Sequence, residues 1–162
     1  MAKKKPLTVE QLILMLRDAP ARIASMVGSA SPEQLQTAPG PDEWSANEVL
    51  SHLRACADVW GGCIDRILQE DSPTIRAMNP RRWLLSTDYV EQDFRRSLGA
   101  FSAQREGLLA VLSPLSPDNW SRSATVTGAG KPLIRTVYNY AEWLAVHERP
   151  HLKQIGRAMT PR

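Results

Sequence analysis

Residues 44–53 read W-S-A-N-E-V-L-S-H-L. Ser45 is a side chain that caps helices, and Glu48 stands three residues on, where its carboxylate can reach back to the Ser45 backbone N–H. Trp44 and Val49 flank this capping box at the positions of a hydrophobic staple. A helix therefore starts here. From Val49 onward the apolar residues recur on one face: Val49, Leu53, Cys56, Val59/Trp60, Cys63 and Ile67. His52 falls on that same face, so an imidazole is expected in the core.

Working outward, the same signals mark three more long helices. Thr8 with Gln11 forms a capping box ahead of the stripe Leu12, Leu16, Ala19, Ile23 and Val27, and Gly28 closes that helix. Pro20 lies inside it and is expected to kink it. A third helix is predicted near Asp88, with Glu91 at the box position and the stripe Val90, Phe94, Leu98, Phe101, Leu108 and Leu112, stopping before Pro114. A fourth is predicted from Pro132, a good first-turn residue, with Leu133, Val137, Tyr140, Leu144, His147, His151 and Ile155 facing inward. Residues 71–85, rich in Pro and polar side chains, read as a long crossover between the second and third helices. Ser31-Pro32-Glu33 and Ser116-Pro117-Asp118 each read as a cap followed by a first-turn Pro. This echo suggests two similar helical hairpins about a pseudo-twofold axis. Thr125–Gly130 has room for a few extended residues but not for a sheet. The expected architecture is all-α, a four-helix bundle occupying residues 1–162 as one domain.

The bulk properties narrow the function classes. The chain is 43% hydrophobic and 23% charged, the balance of a soluble globular protein. Its net charge of +3 is spread along the chain, with no clustered stripe and no nucleic-acid reading motif, so a nucleic-acid partner is not expected. No apolar run approaches the roughly 18 residues of a membrane span. The leucines of the N-terminal stretch are interrupted by Glu10 and Gln11, which favours a mature helix over a signal peptide. Cys56 and Cys63, seven residues apart on one helix, would lie about 10 Å apart, beyond the roughly 7 Å a disulfide tolerates. Two reduced cysteines suggest the cytoplasm.

Residues 147–151, H-E-R-P-H, match the H-E-x-x-H pattern of zinc metalloproteases letter for letter. The company is wrong for a protease. The metzincin extension wants Gly at 154 and His at 157, where this chain has Gln154 and Arg157, and no acidic residue follows Glu148. A ferritin-like di-iron site needs two Glu-x-x-His motifs. Glu148–His151 is one, but Glu48 is followed at the matching place by Ser51. What remains is that all three histidines of the chain sit on inward stripes. Burying three imidazoles costs free energy unless each finds a partner, and a shared metal ion gives all three one at once. His147 and His151, at i and i+4, project from one helix face. Imidazoles suit Zn, Ni, Fe or Cu, and three of them leave coordination positions open, as catalytic sites do.

The helix start Trp44-Ser45-x-x-Glu48-Val49-Leu50-x-His52-Leu53, a long middle, and His147-Glu148-x-x-His151-Leu152-x-Gln154-Ile155 together resemble the DinB-like superfamily. The resemblance covers nearly the whole chain. It implies a four-helix bundle, often a homodimer, with a divalent metal held by His52, His147 and His151. It implies a small-molecule substrate and a metal-dependent enzyme: a thiol S-transferase using a low-molecular-weight thiol as co-substrate, a related small-molecule transferase, or a hydrolase. The alternative within the family is a non-catalytic, stress-associated or dimerisation bundle with a vestigial or structural site. Glu148 is a candidate general base, or a group that orients a metal ligand. It follows His147 directly and so points about 100° away from it around the helix. Cys56, Trp60 and Tyr140, at helical spacing from the histidines, are candidate pocket residues, with core packing as the plainer role. Pro150 departs from the pattern: it removes one helix donor and pushes against the carbonyl of Val146, so a kink between the two ligands is expected.

Overall fold

The computed structural model describes residues 2–160. Four long helices form the frame: α1 (Val9–Val27), α3 (Ala46–Gln69), α5 (Phe94–Leu112) and α7 (Val137–Ala158), with short helices α2 (Pro32–Gln36), α4 (Pro80–Leu85) and α6 (Pro117–Trp120) between them. Around the bundle, α1 and α3 each pack between α5 and α7. Helices consecutive in the chain, α1 with α3 and α5 with α7, therefore lie across the diagonals. The expected pair of hairpins is not the packing unit. No helix among the described residues is long and apolar enough to cross a membrane.

The starts of α1 and α3 are where the capping boxes put them. Thr8 Oγ1 accepts from Gln11 N (3.1 Å), and Ser45 Oγ accepts from Glu48 N (3.1 Å) while Glu48 Oε2 accepts from Ser45 N (2.7 Å). Each stripe residue of α1 is buried, and the helix runs on through Pro20. Both Ser-Pro turns form, with Ser31 capping α2 and Ser116 capping α6.

Two helix starts differ from expectation. The third long helix begins at Phe94, because Asp93 supplies the cap, its carboxylate accepting from Arg96 N (3.1 Å). Asp88 makes no cap. It accepts from Gln92 Nε2 instead, at the head of a 3₁₀ turn over Tyr89–Glu91, and Val90 is left exposed. The fourth long helix begins at Val137, capped by Thr136 in a box closed by Asn139 rather than by the usual Glu or Gln.

The residues ahead of Val137 belong to a sheet, so the chain is not strictly all-α. β2 (Ser123–Thr127) lies between β1 (Thr74–Arg76), its parallel neighbour, and β3 (Leu133–Thr136), its antiparallel neighbour. Gly128 and Gly130, both at φ +85, carry the β2–β3 turn, a backbone region open to glycine. At Gly128 an added Cβ would also press on Arg76 Cγ at 3.1 Å. Ile75, Ala124 and Val126 turn inward, so the sheet closes the end of the bundle core that also holds Leu12, Leu16, Ile64 and Tyr140. A second apolar cluster, built on Ile23, Leu50, Phe94, Phe101 and Ile155, fills the other end. Between them lies a buried ion pair, Arg105–Glu148, with Arg105 Nη1 also donating to the Leu16 carbonyl (2.8 Å).

Candidate metal centre

The three histidines meet. His52 comes from α3, His147 and His151 from α7, two helices that pack side by side in the bundle. His52 Nε2 is 3.4 Å from His147 Nε2, and His151 Nε2 is 3.2 Å from the same atom. One ligand atom from each residue lies within 4.8 Å of the others. α7 continues as one helix through Pro150, so the proline that raised the expectation of a break leaves the i, i+4 pair on one face.

Hydrogen bonding alone does not satisfy this arrangement. A neutral imidazole nitrogen offers one proton or one in-plane lone pair, while His147 Nε2 faces two other ring nitrogens at once. His151 Nδ1–H donates to Gln154 Oε1 (2.9 Å), which turns the His151 Nε2 lone pair toward the cluster. A shared cation removes the conflict. The two spacings to His147 fit one as well: two nitrogens each about 2.1 Å from a tetrahedral ion stand roughly 3.4 Å apart. Burial and mutual repulsion keep the donors unprotonated. His52 is pushed down to about 4 by burial, then by His151, His147 and Arg81. His147 is pushed down to about 4 by burial, then by His151 and Arg81. Burial also lowers His151, against the bond to Gln154. Near neutral pH all three rings present lone pairs, the form in which a metal is bound.

Aromatic rings pack against the imidazoles. His52 Nδ1 and His147 Nδ1 are buried without hydrogen-bond partners among the described residues. The edge of Trp44 meets His52 at 5.4 Å, and Trp60 stands at right angles to His147 at 5.1 Å. Trp44 also stacks nearly flat on His151 at 6.4 Å. The residue expected to staple the helix start thus also lines the site.

The other candidates are spread unevenly. Cys56 is buried with Sγ 3.6 Å from His52 Nε2, and burial pushes its thiol up to about 12, so it stays protonated beside the cluster. Trp60 touches His147 directly. Tyr140 is buried in the apolar cluster at the sheet end and reaches the site through rings, Trp143 at 5.9 Å and then Trp60 at 5.5 Å. Glu148 is 3% exposed and turned away from the imidazoles into the Arg105 pair. Burial pushes its carboxyl up and the Arg105 guanidinium pulls it back.

Sequence reasoning passed over Arg81. It stands at the start of α4 with its guanidinium carbon 5.1 Å from the Trp44 ring centroid, and its charge bears on all three histidines. The available signal was Asn79-Pro80-Arg81, a cap and first-turn Pro inside the segment read as a crossover.

The comparisons with known proteins bear on the family and the fold. The family model of the DinB superfamily matches residues 15–155. Among solved structures, YfiT from Bacillus subtilis, described as a probable metal-dependent hydrolase with an unusual four-helix bundle topology, is similar in fold. It is 21% identical with a TM-score of 0.79, over 98% of this chain and 91% of that one. No curated protein matches the chain. With the family model matching residues 15–155, most of its length, the chain belongs to the DinB superfamily.

Proposed function

We propose that this protein is a divalent-metal-dependent enzyme acting on a small molecule, with His52, His147 and His151 as the metal ligands and a low-molecular-weight thiol as the preferred nucleophile. The observation that carries this reading is the convergence of three neutral imidazole nitrogens at 3.2 and 3.4 Å, an arrangement their own hydrogen bonds do not satisfy. When bound, a divalent ion with open positions lowers the pKa of a thiol or of water so that the nucleophile is available near neutral pH. The chain's own residues do the rest. Gln154 sets the His151 tautomer. Trp44 and Trp60 pack against the rings. Cys56 packs beside His52, its Sγ 3.6 Å from Nε2, as a pocket residue.

Water is the second nucleophile to consider, and the description of YfiT as a probable metal-dependent hydrolase favours it. Homodimerisation and a cytoplasmic location belong to the same reading, on the family resemblance and the two free cysteines. Metal analysis of protein purified without a nickel column tests the proposal. About one equivalent of a divalent metal is expected in the wild type, with loss in His147→Ala. Less than roughly a tenth of an equivalent, with no binding on titration, would sink it; the imidazoles would then be packing residues of a non-catalytic bundle.

A further inference from the structure

Several arginines around the bundle spend donors on the protein. Arg54 bonds Gln92 and Ser97, Arg95 the carbonyls of Gly28 and Ala30, and Arg122 those of Leu68 and Glu70. Arg81 is placed differently. Its side chain is exposed and makes no hydrogen bond or ion pair among the described residues, yet it lies over Trp44, the ring that contacts both His52 and His151. The backbone that carries it is pinned. Asn79 Oδ1 accepts from Arg81 N (2.9 Å), and Trp83 Nε1 donates to Asp58 Oδ2 (3.0 Å). Asp58 sits on α3, the helix of His52, and also accepts from Tyr89 OH (2.6 Å) and Gln104 Nε2 (2.7 Å). The crossover is thus fastened to the metal-site helix, and the fastening holds one cation with unused donors at the rim of the site.

A free guanidinium beside a centre that gathers positive charge is repelled by it. An anion lying between the two removes the repulsion, and the planar fork of Arg fits carboxylate or phosphate oxygens in pairs. We propose that Arg81 selects the substrate: the small molecule handled at the three-histidine centre carries an oxyanion, a carboxylate or a phosphate, which Arg81 holds while the reacting end reaches the imidazoles. This rests on the reading that the centre holds a divalent ion.

The test uses cobalt(II)-loaded full-length protein and two thiol probes of similar length, 3-mercaptopropionate and 2-mercaptoethanol, one with a carboxylate and one with a hydroxyl. Thiols bind an open divalent ion whatever the natural nucleophile, and the sulfur-to-cobalt absorption reports it. The wild type is expected to bind 3-mercaptopropionate about tenfold more tightly, the size of one charge-assisted contact. Arg81→Gln, a change at an exposed side chain, is expected to bind both probes alike while keeping its cobalt stoichiometry. Acetate and inorganic phosphate, titrated against bound 3-mercaptopropionate, tell the two oxyanions apart, and displacement by neither counts against the proposal. Equal affinities in the wild type, or a preference that survives in Arg81→Gln, overturn the role of Arg81 and leave the metal reading standing. Failure to bind cobalt overturns the metal reading, and this inference with it.

Discussion

Replacing Glu148 by Leu separates the two roles open to the glutamate of H-E-R-P-H. In the structure Glu148 and Arg105 are 3% and 2% exposed and joined at both carboxylate oxygens, one of them 3.1 Å from Arg105 Nη1. Without the carboxylate, Arg105 keeps its bond to the Leu16 carbonyl and its place 4.8 Å from the Phe101 ring centroid, but its charge is left buried and unpaired. Breaking a buried pair from one side costs about 3–5 kcal/mol. For a chain of this size that is a fall in Tm of roughly 10 °C. The double variant Arg105→Met/Glu148→Leu removes both charges and should recover to within about 2 kcal/mol of the wild type, because the cost lies in the orphaned partner. The assay is urea unfolding followed by circular dichroism, as a double-mutant cycle, with metal content measured on the same samples. Metal binding should persist in Glu148→Leu under native conditions, since the carboxylate faces away from the imidazoles. A loss below about 1 kcal/mol in the single variant, or a double variant as unstable as the summed singles, would refute the structural role. Loss of metal with stability intact would return Glu148 to the site.

Two further outcomes are expected. In metal-free protein, His52 and His147 have folded pKa values near 4 against an ordinary 6.5, so the unfolded chain binds more protons between those values. Stability should be full above about pH 6.5 and fall as pH drops toward 4, by roughly 3 kcal/mol for one such imidazole; a chelated sample whose unfolding midpoint is flat from pH 7 to 5 contradicts this. Ser45→Ala removes the cap of α3 and should cost about 1 kcal/mol in chemical denaturation, and a neutral result would mean that packing alone sets the start of the His52 helix.

Much of the bundle is legible in local sequence because capping and helical periodicity act over three to seven residues. Thr8/Gln11 and Ser45/Glu48 mark two helix starts correctly, and the α1 stripe is buried throughout. The two misplaced starts come from nearby rivals. Asp93 outcompetes Asp88 as a cap, and Thr136 closes its box with Asn139, a residue outside the usual Glu/Gln signature. The sheet is invisible for another reason. Ile75 pairs with Val126 across the crossover and the whole of α5, and no local pattern encodes so distant a pairing. Leu133–Thr136 reads as a first helical turn until β2 is there to bond it.

The same division of range applies to the candidate centre. His52, His147 and His151 were recognisable from the sequence because each lies on a stripe that must face inward, and the i, i+4 spacing of two of them is a helical property. Glu148, adjacent to His147, had to point elsewhere for the same reason. Which group it would find there was undetermined, because Arg105 comes from a different helix. The diagonal helix order, the Trp44 ring beside two of the imidazoles and the Arg81 segment pinned through Trp83 and Asp58 are likewise contacts between segments far apart in the chain. Local sequence determined which residues turn inward, since that depends on spacing along one helix. Tertiary structure decided what they meet there, since that depends on how the helices are arranged against one another.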